Sequence, residues 1–556
     1  MNKNIKIGLI VFLILMTGAA IAYYKTSSIV RWFAANDYKV TSTKIPMRDG
    51  AELAADLYLP ETGKNFPVIL IQTPYNKDRH KQIIQDLLQG DQNADFFDAK
   101  DYAFVVLDWR GYFKSKDAAK VNKENLIPGE DQRGQDGYDA IEWIAKQPWS
   151  NGKVATWGPS ALGNVQYLTA AQNPPHLVCS DPMVYNIVVD YNNYYYGGVI
   201  RQDVVDTLAM IGFPGLSDLL KKHPLDDGTY DKVSINPAKV KEPMLLIGGW
   251  YDHNNMLQTY NLLKTKGGGK VRLIMGPWVH QGAVKDIKQG ELYFPSAAQV
   301  AREEQEKFFD YYAMGKDTGE INSPAIKYYV MGANQWKTAD EWPPKDAIET
   351  PLYLAEKGKL TQQKSNIEEK PDEFISDPKN PVPSVGGAGL DPQLPTGTFD
   401  QREKVENRSD VLCYTTDTLD RDLTIAGQVK LNLNVSSDCV DTDIAVRLTD
   451  VYPDGRSMLI ADGIQRMSLM ESTKVKKLLI PGQVYLCTVT LRDTAMTFLK
   501  GHKIRISLSS SNYPLCALNS NTGKDGLDFD KYVSAKNLLY HGGNNPSVLV
   551  LPVIKN

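Results

Sequence analysis

At 556 residues the chain is long enough for two or three domains with sizeable cores. A formal net charge of −4, spread without a long basic run, excludes nucleic acid as the main partner. No Cys-x-x-Cys or His-Glu-x-x-His pattern occurs, so the spacing suggests no metal site.

Lys3 and Lys6 precede an apolar stretch from Ile7 to Leu15, and Ala20-Ile21-Ala22 offers a small-x-small cleavage site. This is the layout of a secretory signal peptide. The apolar stretch runs on to Tyr24, roughly the lower limit for spanning a bilayer, so an uncleaved membrane anchor is the alternative. Residues 1–22 are therefore assigned to a signal peptide or anchor. The protein is expected to be exported, either periplasmic or secreted. Of five cysteines, Cys413, Cys439, Cys487 and Cys516 fall in the C-terminal half. Export would permit disulfides among them in any of three pairings; buried thiols are the alternative.

From Val40 onward short apolar runs alternate with helix-compatible stretches. Phe66–Ile71, Ala103–Leu107, Lys153–Trp157, Pro243–Ile247 and Val271–Met275 read as strands, and Gly137–Ile144 carries helical spacing. Continuous apolar strands separated by helices predict a parallel sheet covered on both faces, with functional groups at the carboxyl ends of the strands. This α/β domain is placed at residues 40–345. Residues 186–238, rich in Tyr, Asn, Asp and Gly, interrupt the alternation and fit a cap inserted over the site; their tyrosines either pack a small core or line substrate. Residues 355–395 turn polar and read as linker or surface loop. Beyond them the period falls to two, as in Val429–Val435, Thr442–Leu448 and Lys503–Leu508, so residues 346–556 are expected to form an antiparallel β-sandwich of the jelly-roll kind. Gly267-Gly268-Gly269-Lys270 lacks the spacing of a phosphate loop and reads as a helix-to-strand turn.

The stretch Gly158-Pro159-Ser160-Ala161-Leu162-Gly163 lies between an apolar strand and a helical segment. A serine on such a turn projects its hydroxyl clear of the sheet, where a base and a substrate can both reach it. The general motif is Gly-x-Ser-x-Gly; here the second glycine comes one residue late, with Leu162 in its place. A serine hydroxyl needs a base to take its proton, and the base needs a carboxylate to fix its tautomer. On this kind of sheet the order is serine, acid, histidine. His280 follows the strand at 271–275 and the bend Gly276-Pro277-Trp278, the place for a loop histidine. Asp252 ends the preceding strand, with Asp181 as its competitor. His253 is the weaker base candidate, since a neighbour of Asp252 along the chain is expected to point elsewhere. The favoured set is Ser160, Asp252 and His280.

Five segments in this order then acquire a family likeness. Thr73-Pro74-Tyr75-Asn76-Lys77, Asp108-Trp109-Arg110-Gly111, the Ser160 turn, Gly249-Trp250-Tyr251-Asp252 and Gly276-Pro277-Trp278-Val279-His280 resemble the serine hydrolases of the CocE/NonD family. That group holds cocaine esterase, α-amino acid ester hydrolases, cephalosporin acylases and the X-prolyl dipeptidyl-peptidases of family S15. Asp450–Gly455 is similar to a stretch of the family's C-terminal jelly roll. The resemblance implies an α/β-hydrolase fold followed by a galactose-binding-like jelly roll. It implies Ser160 as nucleophile, Asp252 as acid and His280 as base. Tyr75 matches the tyrosine that forms the oxyanion hole with the N–H of Ala161. The family's elbow, Gly-x-Ser-Tyr-x-Gly, also has its second glycine late. Asp108 and Arg110 are expected to hold a loop rather than take part in chemistry.

Two departures bear on substrate. Ala161 replaces the usual tyrosine, which keeps the N–H but changes the pocket. Asn254 and Asn255 stand where α-amino acid ester hydrolases place acidic residues for an ammonium group, which argues against that subfamily. The expected activity is cleavage of an ester or amide of a small acyl or short peptide substrate through an acyl-enzyme, with no cofactor. The rival within the class is an X-prolyl dipeptidyl-peptidase using Asp181 or Asp190 to hold the free amino group. From another class, the rival is an inert hydrolase scaffold that binds glycans or a surface.

Overall fold

The computed structural model describes residues 38–80, 101–118, 131–210, 215–230, 234–253, 255–280, 287–524 and 531–555. The N-terminal signal or anchor segment and Asn254 lie outside them.

The α/β part is built on ten strands: β1 (Tyr38–Pro46), β2 (Glu52–Pro60), β3 (Phe66–Thr73), β4 (Ala103–Asp108), β5 (Ser150–Pro159), β6 (Leu177–Met183), β7 (Met244–Tyr251), β8 (Val271–Val279), β9 (Ile326–Val330) and β10 (Gln335–Ala339). Their order across the sheet is β1-β2-β4-β3-β5-β6-β7-β8-β9-β10. From β4 to β9 every neighbouring pair is parallel, and the outer pairs are antiparallel. The central strands are buried along nearly their whole length, which is why they read as unbroken apolar runs. Because β3, β5, β7 and β8 run the same way, the residues after each emerge at one edge of the sheet. The helices α1 (Asp131–Ala145) and α2 (Ala161–Ala170) cross between these strands.

The described residues of 186–238 pack a separate cluster that also takes in Ala517 of the β-domain. A short helix (Tyr191–Tyr194), a two-residue hairpin and two further helices (Gln202–Met210, Gly215–Lys222) enclose Tyr191, Tyr194, Tyr195, Leu216, Leu220 and Tyr230. Tyr191 and Tyr195 stack at 4.1 Å. Most of the tyrosine run is therefore packing.

Eleven strands, from Ala347–Ala355 to Val548–Ile554, make one largely antiparallel sheet system. Its strand Leu423–Ser437 alternates buried and half-exposed positions, as period-two patterning requires. The 355–395 region departs from the linker expectation: Lys359–Thr361 and Asp372–Ser376 are strands of this sheet, and the Ala388 carbonyl and Leu390 N–H bind cap residues. All five cysteines are free thiols, with Cys179, Cys487 and Cys516 buried.

Candidate active site

Ser160 ends β5 and precedes α2 with φ 56° and ψ −124°, a left-handed conformation that a non-glycine residue adopts at a cost of about 1–3 kcal/mol. Its N–H donates to Met183 O (3.0 Å), and its carbonyl accepts from the N–H groups of Gly163 (2.8 Å) and Asn164 (3.0 Å). Both glycines are sterically required. A Cβ at Gly158 would lie 2.5 Å from the Leu162 Cβ, and one at Gly163 would lie 2.8 Å from the Met183 carbonyl oxygen. The crowding thus falls on residue 163, not 162.

Sequence reasoning missed the side chain that fastens this turn. Buried Gln166, on α2, donates through Nε2 toward Gly158 O (3.1 Å), Leu162 O (3.1 Å) and Asp181 O (3.2 Å), while its Oε1 accepts from the Asp181 N–H (3.1 Å). A long polar side chain in a helix buried along its length was the available signal.

Tyr75 follows β3, the neighbour of β5. Its N–H donates to Thr73 Oγ1 (3.0 Å), and the Lys77 N–H donates to Asp108 Oδ1 (2.7 Å). The Lys114 N–H reaches the other oxygen of Asp108 (3.2 Å), so this carboxylate ties two loops together. Arg110 pairs with Asp136 (2.5 Å) and Asp49 (2.8 Å). The Tyr75 hydroxyl is turned toward the Ser160 side chain and the Ala161 N–H, both of which pull the phenol pKa down. Desolvation by the surrounding loops raises the phenol above its ordinary pKa range although the residue is 37% exposed, and the Ser160 hydroxyl and Ala161 N–H oppose it only in part. The group therefore stays an O–H at neutral pH.

Asp252 follows β7 and is 2% exposed. Its Oδ2 accepts from His280 Nδ1 at 2.7 Å, His280 lying just past β8. The β7–β8 ladder pairs Tyr251 with Val279, so the two side chains leave adjacent strands at the same level. His253 does not point elsewhere as expected. Its Nδ1 is 3.8 Å from Asp252 Oδ1, and its ring centroid is 4.8 Å from that of His280. Two imidazoles therefore converge on one carboxylate, with His280 in the shorter contact. Burial holds His253 well below the usual histidine range, hence neutral, and the charges of His280, Arg201 and Arg492 act in the same direction against the attraction of Asp252. Among the described residues these three offer ligand atoms all within 4.8 Å of one another.

Carboxylate pairing alone does not single out His280. His176 pairs with Glu142 (2.9 Å), His223 with Asp227 (2.7 Å) and His502 with Asp450 (2.9 Å). What sets His280 apart is its place at the same sheet edge as Ser160, with only β6 between the strand before Ser160 and the β7–β8 pair that carries Asp252 and His280. Asp181 is fully buried within β6, where Gln305 Nε2 donates to it (2.5 Å) and burial pushes its pKa up to about 8. It is not positioned as the acid.

Beside Asp252 lies a cavity of about 150 Å³ lined by Asp190, Tyr196, Arg201, His253 and Arg492 among others. Arg201, from the cap, donates to the His253 carbonyl (3.2 Å). Arg492, from the β-domain, approaches the carbonyls of Asp252 (3.5 Å) and His253 (3.4 Å). Asp190 caps the helix at Tyr191–Tyr194 through the Asn192 N–H (2.9 Å).

A parallel sheet with a strained serine turn, and an Asp–His pair at the same edge, defines a serine hydrolase of the α/β-hydrolase fold with a C-terminal all-β domain. Comparison with known proteins agrees. Residues 49–213 and 214–282 match the X-Pro dipeptidyl-peptidase (S15 family) domain, and residues 320–550 match the X-Pro dipeptidyl-peptidase C-terminal non-catalytic domain. A cocaine esterase from Rhodococcus sp. (strain MB1 Bresler) is 30% identical over 590 residues, spanning 93% of this chain and 99% of the relative. An aminopeptidase from a marine-sediment Thaumarchaeota archaeon superposes with a TM-score of 0.82 at 26% identity, over 93% of this chain and 97% of that one. An α-amino acid ester hydrolase gives 0.81 at 26% identity, over 94% and 97%. The chain belongs to the S15/CocE family of serine hydrolases.

Proposed function

We propose that Ser160, Asp252 and His280 are the catalytic triad and that Tyr75 and the Ala161 N–H form the oxyanion hole of an esterase acting on small acyl substrates. His280 takes the Ser160 proton as the hydroxyl attacks the carbonyl, and Asp252 holds the imidazole in the tautomer with Nδ1 protonated and steadies its charge. The tetrahedral oxygen is met by the phenol and the amide, which strengthen as charge develops. His280 then protonates the leaving alcohol, and the same residues pass a water proton during deacylation. The observation that carries this reading is the 2.7 Å contact of His280 Nδ1 with Asp252 Oδ2 at the sheet edge where the positive-φ turn presents Ser160. Hydrolysis of p-nitrophenyl acyl esters, abolished in Ser160→Ala, together with fluorophosphonate labelling of Ser160, tests it. An active Ser160→Ala protein would overturn it.

A second reading has one observation in its favour. Asp190 lines the cavity beside Asp252 and could receive a free α-ammonium group, as a dipeptidyl-peptidase or aminopeptidase requires. Paired assays with Ala-Pro-p-nitroanilide and the acyl esters decide between the two. We also propose export directed by residues 1–22, on the strength of the Lys3/Lys6, apolar and Ala20-Ile21-Ala22 layout. Cell fractionation with N-terminal sequencing distinguishes a cleaved signal from a retained anchor.

A further inference from the structure

The proposed mechanism uses Asp252 and His280 and leaves His253 without a role, although it occupies the same carboxylate. We propose that Asp252, His253 and His280 form a binding site for one divalent transition-metal ion of the zinc type, and that filling it switches the hydrolase off.

Two nitrogens and a carboxylate oxygen are a donor set that zinc-type ions accept. Ligands at about 2.0–2.2 Å from one ion stand at most about 4.4 Å apart, and roughly 3.4 Å apart in a tetrahedral shell. The separations of 2.7 Å from His280 Nδ1 and 3.8 Å from His253 Nδ1 to the two Asp252 oxygens already satisfy that limit. The largest spacing in the trio, within 4.8 Å, must shorten by roughly 1 Å to reach a tetrahedral shell, a rotation of the side chains about their χ angles. The adjoining cavity of about 150 Å³ reaches both Asp252 and His253, so it can admit the ion and waters that complete its shell. Each guanidinium near this loop has its own carboxylate, Arg201 with Asp203 (2.9 Å) and Arg492 with Asp462 (3.7 Å).

The switch follows from the imidazole tautomer and rests on the reading of His280 as base. In the active tautomer Nδ1 carries the proton donated to Asp252, and Nε2 holds the lone pair that takes the serine proton. Coordination through Nδ1 needs the lone pair there, so the proton moves from Nδ1 to Nε2. No electron is transferred and no covalent bond other than N–H is broken or made. The ring at Nε2 is then a donor, and Ser160 loses its base.

Cobalt(II) serves as the spectroscopic probe of binding, and zinc(II) as the inhibitor. Ser160→Ala protein titrated with cobalt(II) should develop visible d–d absorption at one ion per chain, displaced by zinc(II). His253→Gln and His280→Gln, each checked for an unshifted melting temperature, should lower cobalt affinity by at least roughly 10-fold, the scale that even loss of a supporting partner costs. In wild-type protein zinc(II) should suppress ester hydrolysis and fluorophosphonate labelling of Ser160 together, reversibly with EDTA. His253→Gln should need at least roughly 10-fold more zinc for the same fractional loss relative to its own metal-free rate. No cobalt signal, or affinity unchanged in both variants, overturns the site. Cobalt bound at the site with labelling of Ser160 unslowed overturns the switch, and leaves the failure with the assignment of His280 as base.

Discussion

The Ser160 backbone stores strain that its neighbours must sustain, and the two glycines show how. With φ at 56°, the residue turns the chain so sharply that position 163 passes the Met183 carbonyl, where a Cβ would stand 2.8 Å from the oxygen and 3.3 Å from Gly158 O. Gly163→Ala should therefore lower stability by about 1–3 kcal/mol, the usual cost of overpacking, and slow acylation by moving the Ala161 N–H. Thermal unfolding and burst kinetics with an acyl ester measure the two effects. Tyr75→Phe removes a single donor and leaves the ring in place. Its expected signature is a fall in kcat of roughly 100- to 1,000-fold with little change in KM or melting temperature. A fall below about threefold would place the phenol outside the oxyanion hole. The sequence made Ser160, Asp252 and His280 legible because their order and positions after strands are properties of the chain itself. It did not reveal His253 as part of the group, because His253 lies past the end of β7, where strand alternation no longer fixes which way a side chain turns.

Elements explain what composition misread. The strand Asp372–Ser376 lies at the edge of the β-domain sheet and has exposed positions, so its polar residues satisfy solvent rather than mark a linker. The buried strands of the α/β sheet were legible for the opposite reason, being apolar on both faces. Gln166 is one of three buried polar side chains in α2, with Asn164 and Thr169. Gln166→Leu would leave the Gly158, Leu162 and Asp181 carbonyls without its amide and should cost about 1–3 kcal/mol, with kcat falling alongside, as calorimetry and steady-state kinetics would register. In the β-domain, buried His541 binds Asp372 through Nε2 (3.1 Å) and Glu369 through Nδ1. Burial, the largest single influence, pulls this imidazole down, but the two carboxylates together raise it above 6.5, while Asp372 and Glu369 lie below their ordinary values. The raised histidine contributes stability fully present below its unfolded pKa and lost as pH rises through the folded one. The depressed acids contribute stability present above their unfolded values and lost as pH falls. The melting-temperature gap between wild type and His541→Asn should thus be widest near about pH 5.5 and shrink by about pH 9. A gap independent of pH would mean that the imidazole is held neutral.

At the scale of the whole molecule, three parts of the chain meet at the loop that carries Asp252. The cap contributes Arg201 and Tyr196, and the β-domain contributes Asp462 and Arg492. Tyr196 donates to the Asp462 carbonyl (2.8 Å), and Arg492 lies over the Tyr196 ring (4.8 Å). Such a junction joins residues 240 positions apart, so no local pattern in the sequence could disclose it. It ties the β-domain to the loop that carries Asp252, and substitution of Arg492 tests whether that tie matters to the reaction. Arg492→Met should release the carbonyls of Asp252 and His253, loosen the His280 contact and reduce kcat by roughly 10-fold, the equivalent of one charge-assisted hydrogen bond. The same change leaves the buried Asp462 carboxylate held by the Asn512 amide (3.0 Å), so stability should fall as well. Asp462→Asn separates the two effects. Combined with Arg492→Met it removes the stranded charge, and the melting temperature should recover while kcat stays low. If kcat recovers together with stability, the β-domain supports the site only by keeping it folded, and Arg492 has no part in aligning the acid.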